Sequence, residues 1–302
     1  MKTGLLFPGQ GAQSVGMGVS LCQRSSLAAS LYSEASDILE FDLLELCANG
    51  PAERLNRTEF CQPALFVHSF AELKQLEQDR PQLWENVVAV AGLSLGEYTA
   101  VAAAGGVSFA DGVRLVKARG QAMQSAADAV SSGMSSVVGM PTDELQKVCE
   151  QASDDSHFVK IANLLCPGNI AISGHIQALE RAERLAEDAG ALKVIRLQVA
   201  GAFHTEIMAP AVGTLQQAID AIQLAPTHVP VFSNVDASAH SNPDQFRSLL
   251  SRQVVAPVLW EESLRSMMAF GVEQFIEIGS GRVLAGTLKR IDRKFACENV
   301  GN

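Results

Sequence analysis

Short apolar runs bounded by glycine or proline alternate along the chain with longer amphipathic segments. GLLF near the start and VVAVAG at 87–92 are apolar throughout, as strands covered on both faces are. Segments near 27–48, from 95 onward, and 109–127 read as helices. Strand and helix in alternation predict an α/β fold, a parallel sheet wrapped by helices.

Between about 130 and 200 the pattern changes. SSVVGM reads as a strand, TDELQKVCEQA as a helix, HFVKIANLL and NIAISG as two strands, IQALERAERLAEDAG as a helix and ALKVIRLQV as a strand. The order βαββαβ is that of a ferredoxin-like unit. PVFSNV, QFIEIG and a last helix from Arg282 to Arg293 then return to the first sheet. The expected organisation is a discontinuous large α/β domain, 1–129 and 200–302, with a small ferredoxin-like domain inserted at 130–199.

The 302 residues, 47% hydrophobic and 19% charged, suffice for a large domain carrying a smaller one. A formal net charge of -10 argues against nucleic acid or an anionic membrane as partner, since each requires a basic face. Cysteines at 22, 47, 61, 149, 166 and 297 form no C-x-x-C pair and lack companion histidines, so neither zinc nor a disulfide frame is expected. MKTGLLFPGQG is too short an apolar run for a signal peptide, and no stretch approaches a membrane span. A cytoplasmic location is expected.

FPGQGAQSVGMG follows a strand, but G-x-G-x-x-G would need glycine at position 14, which is Ser14. IGSGRVLAG near Gly279 lacks the lysine of a P-loop. Both read as tight turns. The G-x-S-x-G from Gly92 to Gly96 has a buried strand before it and a helix after it. A nucleophile elbow needs that context: small neighbours at a sharp turn, a serine raised above the sheet, and the Leu95 N–H aimed at a developing oxyanion. Glu97, in the first helical turn, reads as a favourable partner of the helix dipole and not as a catalytic acid.

Such a serine needs a base. His68 lies in the apolar helical run ALFVHSF, and His157, His175, His228 and His240 sit near turns. His204, just past VIRLQVA, would reach Ser94 from a sheet's carboxyl edge. On the 112–126 helix Leu115, Val116, Ala122, Met123 and Ala126 share one face, and Arg119 lies in its middle. A guanidinium directed into a core must be paired, either by an internal Asp or Glu or by a substrate carboxylate bound two-pronged.

LFPGQGAQ, GLSLGEYTA, VKARGQAMQ, GAFH, Asn234–Val235–Asp236, RQVVAPVLW and GSGRVLAGTLKRI stand in the order found in malonyl-CoA:acyl-carrier-protein transacylases, and the chain resembles that family over about residues 5 to 295. The resemblance implies an α/β-hydrolase-like large domain with a ferredoxin-like insertion. It implies Ser94 as acylated nucleophile, His204 as general base, and the N–H groups of Gln10 and Leu95 as oxyanion hole. Arg119 would grip the malonyl carboxylate, the backbone carbonyl of Gln253 would orient the histidine in place of a triad aspartate, and Gln62 would line the pocket. The implied reaction is ping-pong: malonyl passes from malonyl-CoA to Ser94, then to the pantetheine thiol of an acyl carrier protein serving fatty acid synthesis. No cofactor or metal is implied, and a monomer is expected.

GAFH resembles the H-A-F-H tetrad of malonyl-selecting acyltransferases with Gly201 for the first histidine, and implies that Phe203 takes the volume of an α-methyl branch. Leu93 stands where the family usually has histidine, and Ser280 where it has proline. The elbow alone would equally permit a serine hydrolase or an acyltransferase for an uncharged acyl group, with an acid such as Asp236 completing a triad. A non-catalytic carrier-binding module is disfavoured by the retained serine, histidine and arginine. An acidic carrier would need a local basic surface on this acidic chain. Lys289, Arg290, Arg293 and Lys294, or Lys193 and Arg196, are candidates, each also explicable as a solvated face.

Overall fold

The computed structural model describes residues 1–301. Its strands are β1 (Thr3–Phe7), β2 (Val87–Gly92), β3 (Ser132–Val138), β4 (Val159–Cys166), β5 (Asn169–His175), β6 (Lys193–Arg196), β7 (Val231–Phe232), β8 (Ala239–His240), β9 (Gln274–Ile278) and β10 (Cys297–Val300). They form two sheets. The first has the order β10-β9-β1-β2-β7-β8 and is parallel except for the short edge strand β8. All five residues of β1 are buried, and so is nearly all of β2, because helices cover both faces. This mixed fold, a parallel sheet plus an antiparallel one, agrees with the expected alternation.

The second sheet, β4-β5-β3-β6, is antiparallel throughout. Helix Thr142–Ala152 links β3 to β4 and helix Ile176–Asp188 links β5 to β6, so the elements run strand, helix, strand, strand, helix, strand. Both helices bury one stripe, Leu145, Val148, Cys149 and Ala152 on the first and Ala178, Leu179, Ala182 and Ala186 on the second, in a core of their own. β4 is tied to the segment before helix Trp260–Phe270, where Leu164 N–H donates to Val258 O at 2.9 Å and Val258 N–H to Ala162 O at 2.8 Å.

The helix expected near 27–48 is two, Ser26–Leu39 and Leu43–Asn49, with a short helix Val19–Arg24 before them. The Ser25 hydroxyl accepts from Ala28 N–H to start Ser26–Leu39, Glu40 at φ 67° ends it, and Asp42 caps Leu43–Asn49 through Glu45 N–H. PVFSNV yields only Val231–Phe232 as strand, because the chain turns at once and Ala237 N–H closes onto Ser233 O at 3.0 Å. The ALFVHSF run belongs to a 22-residue helix, Thr58–Asp79, buried on almost every side and so without a readable stripe. No helix among the described residues is long and apolar enough to cross a membrane.

Candidate active site

Gly92 ends β2, Leu95 opens the Leu95–Ala103 helix, and Ser94 stands between them at φ 51°, ψ -104°. That left-handed backbone is costly for a serine, and the surroundings enforce it. A Cβ on Gly92 would lie 1.9 Å from Gly96 C, and one on Gly96 would lie 2.1 Å from Phe7 O. The turn is also strapped from below, with Asn234 Oδ1 accepting from Ser94 N–H at 2.7 Å and Asn234 Nδ2 donating to Gly92 O at 2.8 Å.

His204 Nε2 lies 2.9 Å from Ser94 Oγ, and His204 Nδ1 lies 2.9 Å from the backbone carbonyl of Gln253. A carbonyl only accepts, so Nδ1 carries the proton and Nε2 offers its lone pair to the serine hydroxyl. His204 is expected to reach Ser94 from a sheet's carboxyl edge, just past VIRLQVA. The preceding strand, β6, lies in the antiparallel sheet and ends at Arg196, short of the expected run. An irregular stretch brings the tetrad back, held by Ser173 Oγ on β5 donating to Phe203 O at 2.8 Å. Burial, then the Arg119 charge, lowers the His204 pKa to about 4, while the Gln253 carbonyl works the other way.

Arg119 is 1% exposed, as its place on the apolar face predicts. Its Nη2 donates to Ser94 Oγ at 3.1 Å and to Gln253 Oε1 at 2.9 Å, its guanidinium carbon lies 4.8 Å from the centre of the Tyr98 ring, and its Nε has no partner. The hydrogen-bond partners are thus neutral groups. The internal acid permitted on sequence grounds is not what holds it: Glu97 Oε2 bonds to Gln253 Nε2 at 2.6 Å and to Asn234 N–H at 3.1 Å. Glu97 stays in the first turn of its helix, as expected, but is fully buried there, and burial raises its pKa to about 6.

A cavity of about 260 Å³ opens over Ser94 and His204 between the two sheets. Gln10, Gln62, Leu95, Arg119 and Phe203 all line it, so every expected site residue except Gln253, which lies beneath it, reaches its wall. Leu93, Met123, Met134, Leu165, Leu197 and Val199 make the rest largely apolar. Gln10 Nε2, Gln62 Oε1 and Asn163 Oδ1 are buried without partners. The N–H groups of Gln10 and Leu95 have no protein acceptor, and Leu95 heads its helix. Asp236, the acid a hydrolase triad would have used, instead pairs with His240 Nε2 at 3.0 Å. Asn163, Asn234 and the carboxylate of Glu97 were missed as site groups. Asn234 stood in a quoted motif without a role, and Glu97 gave no sign that it would be buried.

The sequence family described as acyl transferase domain matches residues 5–296. A malonyl CoA-acyl carrier protein transacylase of Bacillus subtilis is 40% identical over 295 residues, 97% of this chain and 91% of the relative. The mitochondrial malonyl-CoA-acyl carrier protein transacylase of Homo sapiens is 40% identical over 296 residues, 94% and 76% of the two chains. The transacylase structure from Coxiella burnetii superposes with a TM-score of 0.95 at 35% identity, covering 100% of this chain and 94% of that one. A malonyl-transacylase solved in complex with its type II PKS acyl-carrier protein superposes with a TM-score of 0.95 at 33% identity, covering 100% and 96%.

Proposed function

This chain belongs to the acyl transferase domain family, and we propose that it moves the malonyl group of malonyl-CoA to the pantetheine thiol of an acyl carrier protein by way of a malonyl ester on Ser94. It is an acyltransferase of fatty acid synthesis. The observation that carries the substrate is Arg119, a buried guanidinium bonded to neutral groups at the wall of the nucleophile's cavity. A free carboxylate on the acyl group completes its pairing.

Ser94 Oγ attacks the thioester carbonyl as His204 Nε2 takes its proton. The N–H groups of Gln10 and Leu95 receive the oxyanion, and the tetrahedral adduct collapses with coenzyme A leaving on the proton held by His204. The carrier's thiol then gives its proton to His204 and attacks the ester, and Ser94 leaves with that proton. The Gln253 carbonyl holds the imidazole in the tautomer both half-reactions need, the work done elsewhere by a triad aspartate. Gln62 and Phe203 shape the acyl end of the cavity.

The large domain, 1–129 with 200–302, is read as α/β-hydrolase-like, and 130–199 as a ferredoxin-like insertion supplying Met134, Asn163, Leu165, Ala171 and Leu197 to the wall. We take the protein to be a cytoplasmic monomer. For an acidic carrier the favoured basic ground is the helix Val283–Ile291 together with the turn after it: Val283 lines the cavity, and Lys289, Arg290, Arg293 and Lys294 are exposed. Arg196 is instead engaged with Glu183 at 2.6 Å. Transfer of an uncharged acyl group, which the apolar walls would suit, leaves Arg119 without a counter-charge. Intact-mass measurement after mixing with malonyl-CoA tests the reading: a malonyl adduct is expected on wild type and absent in Ser94→Ala, and no adduct, or one surviving in the variant, overturns it.

A further inference from the structure

The reaction uses Gln253 through its backbone carbonyl, yet its fully buried side chain is also bonded at both ends. Oε1 accepts from Arg119 Nη2 at 2.9 Å, while Nε2 donates to Ser94 O at 2.9 Å and to Glu97 Oε2 at 2.6 Å. A carboxamide has one accepting and one donating end, and a guanidinium only donates. Arg119 is therefore held only while the amide nitrogen points the opposite way, toward acceptors. Glu97 supplies the shorter of those two bonds. It does not line the cavity, and its side chain connects to the site through Gln253, which holds Arg119, and through the backbone N–H of Asn234 at 3.1 Å.

We infer that Glu97 is a positioning residue for acyl-group selection: its Oε2 orients the Gln253 carboxamide, which sets the Arg119 guanidinium at the place where it grips the acyl carboxylate. The inference rests on the malonyl-transfer reading above. The elbow is held chiefly by the Asn234 side chain, on Ser94 N–H and Gly92 O, and Glu97 meets Asn234 only at its backbone N–H. His204 is oriented by the backbone of Gln253 and not by its side chain. Disturbing Glu97 accordingly weakens carboxylate recognition and spares the serine–histidine pair.

Two conservative variants separate acceptor from charge. In Glu97→Gln the amide oxygen takes the place of Oε2 and keeps both donors, with the nitrogen in the place of Oε1, which has no partner. In Glu97→Asp the charge stays but the carboxylate withdraws by about one C–C bond, ~1.5 Å. The readout is kcat/KM for malonyl-CoA over that for acetyl-CoA, in transfer to holo acyl carrier protein. Gln is expected to keep this ratio within about threefold, and Asp to lower it about tenfold or more through the malonyl term. A ratio lost in Gln and kept in Asp, equal losses on both substrates, or two unchanged ratios would overturn the inference. Gln253→Met keeps the carbonyl beneath His204 and should show the same selective loss. An unchanged ratio there overturns the inference even if a Glu97 variant does not fold. A wild type that forms no malonyl adduct defeats the transferase reading itself, an outcome distinct from a normal adduct with an unaltered ratio.

Discussion

Arg119 Nη2 donates to Ser94 Oγ at 3.1 Å, so the group proposed to select the substrate also rests on the proposed nucleophile. That bond draws density from the serine oxygen, while the same cation depresses the basicity of His204. An arriving carboxylate takes over the guanidinium and releases both.

Arg119→Ala should therefore lower malonyl transfer about 100-fold, the scale of a lost charge-assisted pair in a buried site. Acetyl transfer should fall far less or rise, because the restraint on Ser94 goes too. Parallel assays with malonyl-CoA and acetyl-CoA check this, with release of free malonate followed alongside. Equal loss on both substrates would instead favour a site built for uncharged acyl groups.

The parts of this site legible in the sequence are those whose signal is local. Gly92 and Gly96 bracket Ser94 between a strand and a helix, and Arg119 interrupts an apolar stripe, so both were readable from a dozen neighbours. His204 lies 110 positions from Ser94, and its approach depends on an irregular return and on Ser173 of the other sheet, which no spacing encodes. Glu97 looked like an ordinary first-turn acid, since burial depends on what packs over that turn. Of the Thr58–Asp79 helix only the apolar run ALFVHSF was legible, because burial on almost every side leaves no period to read along its length.

Burial holds both His204 and His68 near a pKa of about 4, against an ordinary 6.5. His204 is then the free base at every pH above about 5, so kcat/KM for malonyl-CoA should stay flat from about pH 8 to about pH 5 and show no acid limb near 6.5. Stability behaves differently. Each histidine binds a proton in the unfolded chain before it can in the folded one, so stability is full above 6.5 and is lost as pH falls toward 4. The loss is about 2 kcal/mol per histidine between about pH 7.5 and about pH 5. Glu97, raised to about 6, offsets part of it, since its folded form takes up a proton first. His68→Gln, which can still meet the Tyr32 hydroxyl now 3.1 Å from His68 Nδ1, should flatten Tm against pH, and an unaltered slope would contradict this assignment.

Phe203 is 5% exposed and lines the cavity beside His204. Replacing it with serine empties volume at the acyl end without touching the Ser173 bond, which goes to its backbone. One methyl is worth about 1–3 kcal/mol of discrimination in a pocket. Phe203→Ser should thus raise methylmalonyl relative to malonyl transfer by about tenfold or more, measured by competition between the two thioesters. An unchanged ratio would mean that other walls exclude the branch.

Asn234 is the residue on which the strained serine depends. Ser94 keeps φ at 51° because its N–H is tied to Asn234 Oδ1, and the carbonyl of Gly92 is tied to the same side chain. Asn234→Ala leaves both buried backbone groups unpaired, each at about 1–3 kcal/mol. Only the Gln253 bond to Ser94 O and the close packing of Gly92 and Gly96 then oppose the strain, and the turn should relax toward ordinary backbone, carrying Oγ away from His204 Nε2. The rate of adduct formation with malonyl-CoA and with acetyl-CoA should fall together, since the nucleophile itself is displaced, and Tm should drop. That equal loss distinguishes Asn234, which holds the elbow, from Glu97, whose variants should discriminate between the two acyl groups. A selective malonyl loss in Asn234→Ala would show that the strap also serves Arg119, through the 3.4 Å contact of Gln253 Nε2 with Asn234 Oδ1.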